Sequence, residues 1–132
     1  MAYNNEVLKA NRMTDSEIVE RIRTKVKEKG ETITPNQGLF AIKLFDYAIN
    51  YGKVYDDNKH CVVGLTIKEM CDYFGYKKSA VIEVIAKLDK VGIIKRKCIA
   101  SVVNDMSKLD RKSKVTIIEC DMFCNISSER GE

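Results

Sequence analysis

The chain has 132 residues, which suggests a single domain, and its content of 45% hydrophobic and 32% charged residues is typical of a globular protein with a real core. No apolar run approaches the roughly 20 residues that a membrane-spanning helix needs, and residues 1–13 lack the apolar core of a signal peptide. We therefore expect a cytoplasmic protein. Its net charge of +4 says little until the charges are located along the chain.

The first predicted elements are a polar, mobile segment over residues 1–13 and a helix that follows it. Thr14 and Glu17 form a capping box, and Gly30 ends the helix. The apolar positions of this helix form only a narrow stripe, made of Ile18, Val19, Ile22 and Val26. Such a stripe packs along one edge, either of its own domain or of a partner subunit, so residues 14–33 are a candidate dimerisation element.

A second helix is predicted from Thr34-Pro35, because threonine is a good N-cap and proline fits the first helical turn. Gly52 ends it. Its broad apolar face identifies it as the central core helix, with Leu39, Phe40, Ile42, Phe45, Ala48 and Ile49. Residues Tyr55–Lys59 read as a turn, and His60–Leu65 reads as a short strand.

The most informative segment runs from Leu65 to Lys97. Two sets of apolar residues recur there at i, i+3, i+4 and i+7, namely Ile67, Met70, Cys71 and Phe74, then Val81, Val84, Ile85 and Leu88. Gly75 allows the sharp turn between the two helices, and Gly92 can end the second. This pattern predicts a helix-turn-helix that leads into a β-hairpin, as in proteins that insert a helix into the DNA major groove. The alternative is a plain αα-hairpin in a helical core.

The remaining chain reads as a hairpin with a long tip. We predict strands over Ile93–Val103 and Lys114–Asp121, joined by the polar loop Asn104–Ser113. Residues 122–132 form a tail in which Met122 and Phe123 are expected to pack. The predicted fold class is therefore α+β, mainly α: a winged helix-turn-helix domain over residues 34–121 with an additional N-terminal helix.

In this region the chain resembles the winged-helix DNA-binding domains of bacterial regulators, most closely the MarR-like group. The matching residues are Thr66–Cys71, Phe74-Gly75, Val81, Ile85, Leu88 and Val91–Arg96. The resemblance implies a homodimer bound to a near-palindromic or repeated DNA site. Small proteins of plasmids and phages with similar domains serve partition, replication initiation or conjugative DNA transfer.

The resemblance also implies which residues of the second motif helix meet DNA. Members of the group often carry Ser or Thr at its start, where this chain has two lysines before a serine. Lys77, Lys78 and Ser79 are expected to hold phosphates, while Ile82, Glu83 and Lys87 are expected to face base edges or flanking backbone. Polar or basic readers are common at the positions of Ile82 and Glu83. An isoleucine can touch a thymine methyl but makes no hydrogen bond, and a glutamate repels phosphate but can accept from cytosine N4.

Positive charge is concentrated on the second motif helix and the hairpin. From Lys77 to Lys114 there are eleven Lys or Arg and four Asp or Glu, a net charge of +7, so the remaining residues sum to −3. The hairpin is expected to contact DNA through Lys95, Arg96, Lys97, Lys108, Arg111, Lys112 and Lys114. The alternative is an ordinary mobile loop whose lysines keep it soluble.

Neither a metal centre nor a cofactor is expected. The chain has an odd number of cysteines without a Cys-x-x-Cys spacing, Cys61, Cys71, Cys98, Cys120 and Cys124, and a single histidine, His60. We expect reduced, partly buried thiols, with a redox sensor as the alternative. His60 and Cys61 are neighbours in a predicted strand, so their side chains should point to opposite faces.

The predicted function is sequence-specific binding of double-stranded DNA by a homodimeric transcriptional regulator that is not an enzyme. One alternative is an accessory factor of a plasmid or phage that serves conjugation, partition or replication. The other is a winged helix that binds proteins. The resemblance to the MarR-like group also leaves open the binding of a small-molecule effector at the dimer interface. No residue of the chain designates a pocket for such a ligand.

Overall fold

A computed structural model describes residues 5–54, 60–98 and 114–125 of the chain. These residues form an α+β fold that is mainly helical. The helices are α1 (Asn5–Ala10), α2 (Asp15–Glu28), α3 (Pro35–Tyr51), α4 (Ile67–Phe74) and α5 (Lys78–Lys90). The strands are β1 (Lys53–Val54), β2 (His60–Gly64), β3 (Ile94–Cys98) and β4 (Lys114–Glu119), and a 3-10 helix follows at Cys120–Met122. None of the described helices is long and apolar enough to cross a membrane.

Three helices begin with a complete capping box. The hydroxyls of Thr14, Thr34 and Thr66 each accept a hydrogen bond from the backbone N–H three residues later. In return, the side chain three residues later accepts from the backbone N–H of the threonine, at 2.8–3.1 Å. These bonds satisfy N–H groups that a helix start leaves without partners. They explain why the predicted starts of α2 and α3 are confirmed to the residue.

The turn between α4 and α5 depends on Gly75, whose φ is +79°. Its N–H donates to Cys71 O at 3.0 Å, which closes α4 in a left-handed cap. Gly92 has a φ of +84° just after α5, and the N–H of Ile93 donates to Leu88 O there. Both predicted glycine stops are confirmed, and they set where α5 starts and ends against the sheet.

Two glycine-to-alanine substitutions should change the free energy of unfolding in opposite directions. Gly75→Ala forces a Cβ into the left-handed region and should cost about 1–2 kcal/mol. Gly38→Ala, inside α3, would place its Cβ 3.8 Å from Val19 Cγ2, an ordinary contact, and should stabilise by about 0.5–1 kcal/mol. Urea unfolding of both variants measures this, and equal stabilities would contradict it.

The four strands form one antiparallel sheet in the order β1-β2-β4-β3. Strand β4 lies between β2 and β3. Its Thr116 is paired with Val63 of β2 on one side and with Arg96 of β3 on the other. The two-residue β1 was not predicted, because its pairing with β2 depends on the chain returning after α3. The predicted strand ends differ slightly: β3 begins at Ile94, β2 ends at Gly64 and β4 ends at Glu119.

The core lies between the helices and one face of the sheet. Phe40, Phe45, Met70 and Leu88 are completely buried in it. The apolar stripe of α2, predicted as a candidate dimerisation element, is also buried, and α2 contacts α3. Its Ile18, Ile22 and Val26 are therefore used within the chain.

The segments at the two ends of the described chain hold each other. The N–H of Met13 donates to Phe123 O at 2.9 Å, and the N–H of Asn125 donates to Asn11 O at 2.7 Å. The Cys124 thiol donates to Leu8 O, 116 positions away in the chain. The ring of Phe123 stacks on that of Phe45, with centroids 4.3 Å apart. The expectation that Phe123 packs is confirmed.

The prediction of a mobile segment over residues 1–13 is wrong for residues 5–13. Residues 5–10 form α1, and Leu8 is fully buried. The Arg12 guanidinium pairs with Asp46 at 2.7 Å and with Asp15 at 2.8 Å, and these carboxylates raise its pKa. Few apolar residues mark this segment, so its order comes from distant partners rather than from local periodicity.

Candidate nucleic-acid interface

The outward face of α5 is a stripe of solvent-exposed residues. Ser79, Ile82, Glu83 and Ala86 recur at i, i+3, i+4 and i+7, so they lie on one side of the helix. The opposite side, with Val81, Val84, Ile85 and Leu88, is buried in the core. Ile82 is 47% exposed. The stripe contains three of the predicted DNA-binding residues.

The N-terminus of α5 is basic and lacks a side-chain cap. Lys77 occupies the N-cap position, where α2, α3 and α4 each carry a threonine. Lys77, Lys78 and Ser79 are all exposed. The first N–H groups of a helix form its positive end, and lysines there are less favourable than acidic residues. A bound anion such as a phosphate would complement both the N–H groups and the lysines.

Two of the predicted contact residues of α5, Glu83 in the outward stripe and Lys87, bond to the same residue of α3. Gln37 Nε2 donates to Glu83 Oε2 at 3.3 Å, and Lys87 Nζ donates to Gln37 Oε1 at 3.1 Å. Further along α5, Lys90 Nζ pairs with Glu31 Oε2 at 2.6 Å and lowers the pKa of that carboxyl. Glu83 and Lys87 are thus oriented by the start of α3.

The three cations at the start of the predicted wing are divided between the two faces of the sheet. Lys95 and Lys97 are exposed on one face. Arg96 lies opposite the fully buried Thr116 on the core-facing side and is itself only partly exposed. Burial lowers the pKa of Arg96, and the nearby Asp89 offsets part of this effect. Within the described ranges, neither Arg96 Nε nor Thr116 Oγ1 has a hydrogen-bond partner.

The tip of the predicted hairpin lies outside the described residues. Lys108, Arg111 and Lys112 lie outside the described residues, as do the predicted turn at 55–59 and the loop at 104–113. Lys114 begins β4, opposite Cys98 on β3. Among the described side chains, the predicted phosphate-binding cations that are exposed are therefore Lys77, Lys78, Lys95 and Lys97.

Sequence reasoning missed Gln37 and Glu31, which orient Glu83, Lys87 and Lys90. The signal for Gln37 was its position three residues after Thr34, which gives it a capping role and fixes its side chain beside α5. No local pattern indicates Glu31, because its partner is 59 positions away. No family model, no curated protein and no solved structure matches this chain.

The thiols are not arranged for chemistry in the described part of the chain. Cys61 and Cys120 are buried and Cys71 is partly buried, which confirms the prediction of partly buried free thiols for them. Burial raises the pKa of Cys61 to about 11 and that of Cys124 to about 12, which disfavours the reactive thiolate. No group of three potential metal ligands occurs among the described residues.

Proposed function

We propose that this chain is a winged helix-turn-helix protein that binds double-stranded DNA, with α4 and α5 as the motif and α5 as the recognition helix. The observation that carries the proposal is the exposed stripe of α5, which is next to a basic, uncapped helix start and is backed by a rigid apolar core. In this proposal, β3 and β4 are the strands of the wing. Their antiparallel pairing after α5 supports that assignment.

The stripe offers chemistry that suits a major groove. A serine hydroxyl at position 79 can donate or accept at a base edge, and Ile82 can contact a thymine methyl. The carboxylate of Glu83 can accept from cytosine N4, and its bond to Gln37 gives it a fixed direction. Small side chains at Ser79 and Ala86 allow the helix backbone to come close to the bases.

Phosphate contacts in this proposal come from two groups of exposed lysines. Lys77 and Lys78 would act with the N-terminus of α5, and Lys95 and Lys97 would act from the outer face of the sheet. The cations of the hairpin tip, Lys108, Arg111, Lys112 and Lys114, belong to the same proposal on the sequence alone. Such contacts release counterions, so affinity should fall steeply with salt.

In the cell, the chain would act in the cytoplasm as a homodimeric transcriptional regulator, without catalysis. A DNA-binding accessory role on a plasmid or phage, in conjugation, partition or replication, requires the same interface. The two roles differ in the DNA site that is bound and not in the chemistry of α5.

Fluorescence anisotropy tests the proposal directly. Two labelled duplexes are compared, one with the DNA that flanks this protein's own gene and one with its scrambled sequence, over about 50 to 200 mM salt. Preference for the flanking DNA that persists at the higher salt is the expected result. Equal, weak binding to both duplexes that disappears with salt would leave only a basic surface and overturn sequence-specific binding.

A protein-binding winged helix is the second candidate, and the exposure of Ile82 favours it. An apolar side chain beside a carboxylate is as suitable for a groove on a protein as for a base edge. In that case, salt-sensitive DNA binding would be lacking, whereas the DNA proposal expects such binding and expects Ile82→Asp to abolish discrimination between the two duplexes.

A further inference from the structure

A continuous set of aromatic rings leads from the core to the surface between α3 and α4. The buried Phe40 contacts Phe74 edge to face, with ring centroids 5.5 Å apart, and Phe74 contacts Tyr47 at 6.1 Å. Tyr47 then stacks on Tyr73 at 5.4 Å and lies 4.8 Å from Tyr51. Tyr51 is 74% exposed and Tyr73 is 54% exposed, so the series ends in solvent.

These tyrosines form the main exposed apolar surface of the described chain. Its exposed large hydrophobic residues are Leu39, Tyr51, Tyr73 and Ile82, and only Ile82 lies on α5. We use the name tyrosine patch for Leu39, Tyr47, Tyr51 and Tyr73. Within the described residues, none of the three tyrosine hydroxyls makes a hydrogen bond to protein. Stacked rings with free hydroxyls are typical of binding surfaces, where Tyr is enriched.

The shape of the patch follows from the spacing of its residues. Leu39, Lys43, Tyr47 and Tyr51 are four apart on α3, so they form one of the ridges by which helices pack. Two such ridges from two helices interdigitate at a crossing angle of about −50°. The patch can therefore pack against its own copy, since a two-fold axis brings the same ridge of each chain into contact.

The charges around the patch are balanced. Lys43 donates to Phe74 O at 3.1 Å, and Lys68 pairs with Asp72 at 3.9 Å, while Glu69 lies close enough to Tyr47 to help raise its pKa. These two cations and two carboxylates balance, and exposed Lys53 lies two residues beyond Tyr51, so the patch is not strongly charged and a second copy is not strongly repelled. Nucleic acid is a poor occupant, because aromatic platforms for single strands lie in positively charged grooves.

Helix α2, which the sequence suggested as a dimerisation element, offers no apolar surface to a second copy. The apolar stripe of α2 is buried, and its outward face carries exposed polar residues such as Glu20, Arg23 and Lys27. Gln37, which contacts α5, lies at the opposite end of α3 from Tyr51, and of the patch only Leu39 lies near that end. The tyrosines of the patch therefore lie away from the contact between α3 and α5.

We propose that the tyrosine patch is the interface through which two copies of this chain associate. This inference rests on the proposed function, in which a homodimer binds DNA. Three turns of α3 and the end of α4 form a small interface, so the dissociation constant should be on the order of micromolar. The two α5 helices remain exposed in this dimer and can contact two half-sites.

The absence of tryptophan from the chain allows a site-specific test. Tyr51→Trp introduces a single tryptophan into the patch, and Ile82→Trp introduces one into the matched exposed position on α5. As protein concentration rises from about 1 to 200 μM, a range that spans weak association, the emission of Tyr51→Trp should shift to shorter wavelength, while that of Ile82→Trp stays constant. A constant emission from both variants, or an equal shift in both, would contradict the proposed interface.

Sedimentation equilibrium without DNA completes the test. The native chain should dimerise, and the Tyr51→Ser/Tyr73→Ser variant should stay monomeric with an unchanged far-UV spectrum, because both side chains are exposed. A native chain that stays monomeric at about 200 μM, or a double variant that dimerises like the native chain, overturns the proposal. Neither outcome involves DNA, so failure here is distinct from a failure of duplex binding by anisotropy.

Discussion

Phe123→Ala is expected to lower the free energy of unfolding by about 3–5 kcal/mol, a large part of the stability of a small domain. The ring is only 1% exposed and stacks on Phe45, which is completely buried. Its removal leaves a cavity where the C-terminal segment meets α3. Urea unfolding followed by circular dichroism measures the change.

Met122→Ala is the matched control for this substitution. Met122 is the adjacent residue but only partly buried at the edge of the core, so its truncation should cost under about 2 kcal/mol. If Phe123→Ala unfolds at the same urea concentration as the native chain, then residues 120–125 do not contribute to the core in solution.

Removing two lysines beside α5 should weaken DNA binding and its dependence on salt together. Each lost phosphate contact reduces the slope of log K against log salt by about 0.9. Lys77→Ala/Lys78→Ala should therefore reduce the slope by about 2, and Lys95→Ala/Lys97→Ala should do the same if the sheet face also contacts phosphates. Anisotropy titrations at several salt concentrations give the slopes.

Lys27→Ala/Lys29→Ala is a control with the same change in net charge. Both lysines are exposed in the last turn of α2 and at its C-cap. They lie near the end of α5 where Glu31 pairs with Lys90, and not at its basic N-terminus. This variant should bind duplex with nearly the native slope. If all three double variants lose the same affinity, the effect depends on total charge, and the assignment of a phosphate-binding surface to α5 and the sheet is wrong.

The helix boundaries could be predicted because their causes are local. A threonine followed three residues later by Glu or Gln, or a glycine after an apolar run, determines its own backbone geometry within one turn. Thr14, Thr34 and Gly75 are positions of this kind, and the structure has the predicted caps there. Burial of the apolar faces of α3, α4 and α5 followed from periodicity in the same way, except that Leu39, predicted on the core face of α3, is 43% exposed.

The predictions that failed or stayed incomplete depend on distant partners. α1 has one fully buried residue, Leu8, and is held in place by α3 and the C-terminal segment, which no local pattern reveals. The separation of Arg96 from Lys95 and Lys97 was available from the two-residue period of a strand. It was missed because the three residues were treated as one basic cluster. The role of Gln37 beside Glu83 required the packing of α3 on α5.

The contacts between the two ends of the described chain, residues 8–13 and 123–125, affect the order of folding. Contacts such as that of Cys124 with Leu8 close a loop of more than a hundred residues. The chain loses conformational entropy when this loop closes, before the contacts within it can stabilise the fold. α4 and α5 need only neighbours in sequence. During synthesis, α1 emerges from the ribosome early but acquires its covering segment only after the rest of the fold has been translated. Until then, Leu8 and Phe45 lack their partners, and this end of the domain is the part exposed to proteases and chaperones.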